Sequence, residues 1–315
     1  MTEEESLARA ERCHAHKHLG TDSHYFELES AHVGDRFAIW AMMPPSYARR
    51  TDRAFPVIYV TDGNTNAVIA TAAASLLLGD HLRPTRPFIQ ICIGYADDDV
   101  GRRFVRRNRD FIPPGEPFSP MTERHIGARA YANALGIQGQ EEFLAYARNG
   151  RADRFLGFLE QELHPEIVRR YRVDSAPIGL FGHSQGGLFT LYALTGGSSH
   201  FGIFGAASPA MLTAESQVMA RYRQRLVDVG IASGGNQERL HLVASELEMT
   251  GTIELYRAIG RGYLSFVDVI RGEPWPGLLM TSAIIPGETH FSGVFDAYRS
   301  FLRSCYASPA AAEQV

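Results

Sequence analysis

Short apolar runs rich in β-branched and aromatic residues recur along the chain, separated by segments whose apolar positions fall three and four apart. HYFELES and RFAIWAMM flank the turn-like AHVGD, which predicts an antiparallel pair of strands. FPVIYV, PFIQICIGY, APIGLFG, FGIFGAAS, LHLVAS and LLMTSAIIPG follow. The middle runs are almost continuously apolar, as parallel strands covered on both faces must be. Helical patterns fall between them, over 66–78, 153–171, 186–194, 215–229, 252–259 and 293–302. Pro165 is expected to kink or divide the second of these, because it lacks an N–H and its ring crowds the preceding turn. Strand–helix alternation after an antiparallel start predicts an α/β protein with a mostly parallel, doubly wound sheet. Residues 96–150 break the alternation. A connection of that length is usually functional, and a cap or lid insertion over the active site is expected there.

Composition narrows the class. Hydrophobic residues make up 45% and charged residues 21%, a globular balance with no repeat and no low-complexity linker, so 1–315 is expected to form one domain. Lys plus Arg number 31 against 35 Asp plus Glu, a net charge of −4, which points to neither nucleic acid nor a membrane surface as partner. The longest uncharged stretch, 63–79, is too short to span a bilayer. The charged start lacks a secretory pattern, which predicts a cytoplasmic protein. Cys13, Cys92 and Cys305 are far apart and odd in number, and read as reduced thiols.

The strongest local signal is Gly182-His183-Ser184-Gln185-Gly186, set between the apolar run Ile178-Gly179-Leu180-Phe181 and a helical pattern. A Gly-x-Ser-x-Gly turn from strand to helix lifts a serine hydroxyl above the sheet edge, and it needs glycines because the turn has no room for Cβ atoms. Chance would supply this pattern about 0.1 times in a chain of this length. Ser184 is therefore the candidate nucleophile. It needs a base within hydrogen-bond reach. Of the histidines after it, His241 lies inside a strand pattern and His200 follows the nucleophile helix with no strand to carry it to the edge. His290, just past the last strand, is the candidate base. For the acid, Glu246 and Glu248 follow the 240–244 run and Asp268 is a third option, and a Ser–His dyad is a fourth. A tetrahedral intermediate also needs two N–H donors. Gln185 supplies one, and the Asp62-Gly63-Asn64 turn after the third strand supplies the other, from Asn64 with Gly63 as alternative.

These blocks resemble, in order, the esterase family of α/β-hydrolases that includes the siderophore trilactone esterases and, more distantly, esterase D. FPVIYVTDGN resembles its strand-then-DGN block. Ile93-Gly94-Tyr95 with Arg107-Asn108-Arg109-Asp110-Phe111 resembles its IGY and RxRDY segment, and Phe155 to Pro165 its FLxFLxxELxP helix. GHSQGG and Ile285-Pro286-Gly287-Glu288-Thr289-His290 complete the set, which covers most of 23–302. The resemblance implies an α/β-hydrolase fold, Ser184 as nucleophile, His290 as base, and Glu248 as the carboxylate that closes the "GELE"-like block. It implies a small-molecule ester or lactone as substrate. Because the named residues supply every role in acyl transfer, no metal or organic cofactor is expected.

Several features stand outside that set. Arg102, Arg103, Arg106, Arg107 and Arg109 crowd eight positions, readable as a cationic entrance for an anionic substrate or as a solvated face. Arg109 is expected to pair with Asp110, while Arg107 and Gly63 are the candidate substrate contacts. His14, His16 and His18 beside Cys13 suit tetrahedral zinc poorly. Three functions compete: ester or lactone hydrolysis, acyl transfer to an alcohol, amine or thiol, and binding without turnover. The intact serine, histidine and oxyanion positions speak against the last.

Overall fold

The computed structural model describes residues 23–97, 99–117, 141–142, 144–146, 148–196, 198–210, 212–231 and 237–308. Strands β1 (Ser23–Ser30), β2 (Asp35–Met42), β3 (Val57–Val60), β4 (Ile89–Tyr95), β5 (Ile178–His183), β6 (Phe201–Ala207), β7 (Glu238–Ser245) and β8 (Leu278–Ile285) form one sheet. Its order is β1-β2-β4-β3-β5-β6-β7-β8. β1 and β2 pair antiparallel, β2 runs antiparallel to β4, and every later pairing is parallel. The sequence pattern predicts both the antiparallel start and the parallel body, and each expected run forms a strand.

Helices cover both faces. On one side lie α1 (Gly63–Leu78) and, at the C-terminal end, α9 (Val294–Cys305). Their Ala67, Ala70, Ala73, Tyr298 and Phe301 bury against Ile58, Val60 and Phe181. The small alanines let α1 lie close to the sheet. Phe181 meets Tyr298 edge-on at 4.8 Å between ring centroids, a contact worth about 1 kcal/mol beyond area burial. The other side carries α5 (Gln185–Thr195), α6 (Gln217–Ile231) and α8 (Glu254–Gly272), with Phe189, Tyr222 and Phe266 in the larger core. A short helix, α7 (Leu247–Thr250), follows β7 directly.

Two helices differ in detail from expectation. Around Pro165 the expected helix is divided into segments of different type. The chain runs from α3 (Ala152–Gly157) through a π-helical turn, Phe158–Leu163, into α4 (His164–Arg170). The His164 N–H reaches back to Leu159 O, five residues away. Pro165, which has no N–H to give, thus enters just as a widened turn ends, where the usual clash is relieved. The same π turn presents Glu162, whose carboxylate accepts from Ser30 Oγ at 2.6 Å and Ala31 N at 2.9 Å and so ties down the β1–β2 turn. The helix expected over 252–259 continues to Gly272. Gly260, one residue past the expected end, is a point of close approach, where a Cβ would sit 2.6 Å from Glu248 O.

Of the expected cap, α2 (Val100–Phe111) is a helix that the sequence pattern did not predict. Asp99 caps it, accepting from Gly101 N at 2.8 Å and Arg102 N at 3.1 Å. Residues 118–140 of the expected cap lie outside the described residues.

Candidate active site

The parallel strands end on one edge, and the candidate residues gather there. Ser184 stands between β5 and α5 with φ 60° and ψ −120°. The turn is pinned by Ser184 N donating to Ala207 O at 2.9 Å and by Ala210 N donating to Ser184 O at 3.0 Å. Glycine is required two residues later, since a Cβ on Gly186 would collide with the Thr61 hydroxyl.

His290 arrives from the loop between β8 and α9, its Nε2 3.0 Å from Ser184 Oγ. Its Nδ1 lies 2.6 Å from Glu248 Oε1. Glu248 is fully buried, on α7, and its other oxygen accepts from Ser208 Oγ at 2.9 Å and Ser245 N at 3.0 Å. A carboxylate only accepts, so in the neutral ring Nδ1 carries the hydrogen and the Nε2 lone pair faces the serine hydroxyl. Three hydrogen bonds leave the buried carboxylate well supplied, which a charge in that position requires. The other proposed acids stand elsewhere. Glu246 accepts from Gly287 N at 2.7 Å, and Asp268 is exposed on α8. Among the set-aside histidines, His200 lies just before β6 near Glu160, and His241 is inside β7 between two hydroxyls.

Aromatic rings frame the imidazole. Tyr256 stacks on His290 with centroids 5.2 Å apart and planes 18° apart. The His183 ring approaches to 4.6 Å. Burial, with His290 and Arg107 adding to it, holds His183 well below the ordinary histidine range, so it stays neutral beside the candidate base. Phe291 stands edge-on to His290 and is largely exposed. Nothing in the sequence singles out Tyr256 or Phe291. They become visible only when the β8–α9 loop and α8 meet.

The two candidate donor segments are helix N-termini, where the first N–H groups lack in-helix acceptors. Gln185 opens α5, and Gly63 and Asn64 open α1. The Asn64 amide is fixed to the end of β4, accepting from Tyr95 N at 2.8 Å and donating to Tyr95 O at 3.0 Å. Gly63 is buried against the Ile93 backbone.

Three of the five clustered arginines pair with carboxylates at this edge. Arg106 pairs with Asp35 at 3.1 Å and Asp97 at 3.3 Å. Arg109 pairs with Asp110 at 2.6 Å, as expected, and also with Asp35 at 3.0 Å. Arg107, expected to contact substrate, turns inward onto Asp62 at 2.5 Å and 2.8 Å and onto His183 O at 3.1 Å. Cys92 and Cys305 are buried free thiols. Among the described residues no cluster of three His, Cys, Asp or Glu is arranged for a metal. Cys13, His14, His16 and His18 lie outside them.

The fold is shared with solved structures. The siderophore hydrolase EstB from Aspergillus nidulans superposes with a TM-score of 0.69 at 22% identity, over 90% of this chain and 94% of that one. A BES protein from Bacillus cereus gives 0.68 at 22% identity, over 90% and 95%. The architecture is that of an α/β-hydrolase. Among curated proteins, the ferri-bacillibactin esterase BesA of Bacillus subtilis is 31% identical over 157 residues, 50% of this chain and 48% of its own. The siderophore enterobactin esterase of Emericella nidulans is 29% identical over 182 residues, 57% and 54%. The chain thus spans about half the length of these curated relatives. No helix among the described residues is long and apolar enough to cross a membrane. The sequence profile of the family described as "Putative esterase" matches residues 30–249, and the chain belongs to that family.

Proposed function

We propose that the protein is a serine hydrolase of carboxylic esters or lactones, working through an acyl-enzyme. The observation that carries this reading is the unbroken chain Ser184 Oγ–His290 Nε2, 3.0 Å, and His290 Nδ1–Glu248 Oε1, 2.6 Å. Ser184 Oγ attacks the carbonyl carbon while its proton passes to His290 Nε2. Glu248 holds the ring in the accepting tautomer and stabilises the imidazolium. The carbonyl oxygen becomes an oxyanion facing the N–H groups of Gln185 and Asn64. Collapse breaks the bond to the leaving alkoxide, which takes the His290 proton. Water then enters, gives its proton to His290, and repeats the sequence on the acyl-enzyme to release the acid. Every step draws on side chains and backbone of this chain, so the reaction needs no metal or organic cofactor. The relatives are named for siderophore esters, and an ester or lactone of that kind is the substrate class proposed here. Residues 96–150 serve as a cap on a single catalytic domain.

Labelling with a fluorophosphonate probe and a panel of esters, lactones and thioesters test the reading. Ser184→Ala abolishes labelling and lowers kcat by about 10⁴- to 10⁶-fold. Activity of that variant within tenfold of the parent overturns the assignment. Added alcohol that captures most of the acyl group in place of water makes the protein an acyltransferase instead.

A further inference from the structure

His290 stands in a corner of aromatic rings, two of which none of the steps above employs. Tyr256, on α8, lies against the imidazole with centroids 5.2 Å and planes 18° apart. Phe291 stands across both rings. Its plane is turned 82° from the imidazole at 5.3 Å, and 90° from the Tyr256 ring at 6.3 Å. Tyr256 is half-buried, whereas Phe291 is 67% exposed. Exposure here does not come with looseness. The turn that carries Phe291 is tied by a reciprocal pair, Thr289 N donating to Ser292 Oγ at 3.0 Å and Ser292 N to Thr289 Oγ1 at 3.2 Å. Gly293 N closes it onto Thr289 O at 3.1 Å. The residue before Phe291 is pinned at both ring nitrogens.

The path of the proton decides which half of an ester this corner borders. His290 Nε2 takes the proton of Ser184 Oγ and hands it to the departing alkoxide, so the alkoxide oxygen must come within hydrogen-bond reach of Nε2. The carbonyl oxygen is drawn the other way, to the N–H groups that open α5 and α1. Two substituents of the tetrahedral carbon remain, the alcohol on the His290 side and the acyl chain away from it. Rings that flank the imidazole therefore flank the alcohol. A single exposed phenylalanine is ordinary on a protein surface. A phenylalanine on a fixed turn, perpendicular to a second ring and beside the reacting atoms, is a wall of a pocket. Aromatic pairs favour offset-stacked and edge-on arrangements, and a planar group lying parallel to either ring here stands perpendicular to the other.

We propose that Tyr256 and Phe291 form the subsite for the leaving alcohol, and that they select esters whose alcohol carries an aromatic ring or a comparably broad apolar group. The subsite rests on the reading of Ser184 and His290 given above. It makes a demand that a purely structural pair of rings does not. Changing the alcohol alters the rate at which the acyl-enzyme forms, and altering the acyl chain leaves the corner's preference untouched. Once the alkoxide has departed, nothing of the substrate occupies the corner.

The experiment measures kcat/KM of the parent, Phe291→Ala and Tyr256→Leu on 2-phenylethyl butanoate and ethyl butanoate, whose alcohols are closely similar in acidity and so in leaving ability. Ethyl 3-phenylpropanoate against ethyl butanoate moves the ring to the acyl side as a control. Each preparation is normalised by fluorophosphonate titration, and any disturbance of His290 common to all esters cancels in the ratios. The expected result is a parent preference for the phenylethyl over the ethyl ester of about tenfold or more. That ratio falls at least about threefold in each variant, while the acyl ratio moves by less than about threefold. The proposal is overturned if the parent shows no such preference, if labelled protein cleaves neither butanoate, if the alcohol ratio survives in either variant, or if the acyl ratio shifts instead. Ser184→Ala measured alongside separates this subsite from the mechanism beneath it. An inactive Ser184→Ala with a flat alcohol series sinks the subsite and leaves the serine mechanism standing. An active Ser184→Ala sinks the mechanism, and the subsite with it.

Discussion

Two histidines in this protein are buried to the same degree and bonded at both ring nitrogens, and only one of them stands between a carboxylate and the proposed nucleophile. His290 and His241 are each 4% exposed. His290 lies between the Glu248 carboxylate and the Ser184 hydroxyl. His241 lies between two hydroxyls, Thr281 Oγ1 at 2.7 Å and Ser300 Oγ at 2.9 Å. Hydroxyls satisfy a neutral ring but do little for a charged one, and burial pushes the His241 pKa down to about 4. A carboxylate changes the balance, because it compensates the imidazolium at the moment the ring takes a proton. Burial and hydrogen-bond count do not distinguish a base from a core side chain. The charge of the partner does.

The sharpest way to break this contrast is to neutralise the carboxylate. Glu248→Gln lowers kcat by about a hundredfold or more with KM nearly unchanged, read by steady-state kinetics. Equal activity would leave His290 and His241 electrostatically alike. A smaller effect belongs to the other histidine. His241 has a folded pKa below its unfolded value near 6.5, so the unfolded chain binds the extra proton first. Its contribution is complete above about pH 6.5 and drains as pH falls toward 4. His241→Asn should therefore remove about 2 kcal/mol of the stability lost between pH 7 and pH 5 in denaturant titrations, with kcat at neutral pH within about twofold. A steeper acid loss in the variant would contradict this sign. Giving His241 a carboxylate of its own sharpens the comparison. Thr281→Asp should raise its pKa by about one unit, followed by NMR, without creating a second active serine. The smallest effect is reserved for Glu246→Gln, expected within about twofold in kcat, because Glu246 touches the Gly287 backbone and not the imidazole.

Much of this site is legible in the chain as written, and the limits are physical. The glycines around Ser184 and the apolar run before it announce a strand–turn–helix, since few other folds of the backbone need that spacing. His290 follows because a base must emerge past the last strand. Glu248 and Glu246 are not separable from local sequence, as both follow β7 by a few residues. Their roles diverge only because α7 begins between them and turns Glu248 inward. The pairing of Arg107 with Asp62 is hidden for the same reason. An arginine in a basic stretch advertises charge, whereas its direction is set by Asp62, which lies 45 residues away. The strand order placing β4 between β2 and β3 likewise depends on crossovers that no run of residues records. The π turn before Pro165 stayed hidden because a proline signals a division of the helix and not the form it takes.

The backbone at Ser184 sets stability against reactivity. Its φ of 60° and ψ of −120° are those of the first central residue of a type II′ turn, a place for glycine. A serine held there costs about 1–3 kcal/mol, against a total reserve of about 5–15 kcal/mol for a typical domain. Replacing Ser184 with glycine would relax that cost and remove the nucleophile in one step. A lineage drifting toward tighter folding would thus lose the proposed hydrolysis long before it lost its shape, leaving a more durable protein with nothing to attack a carbonyl.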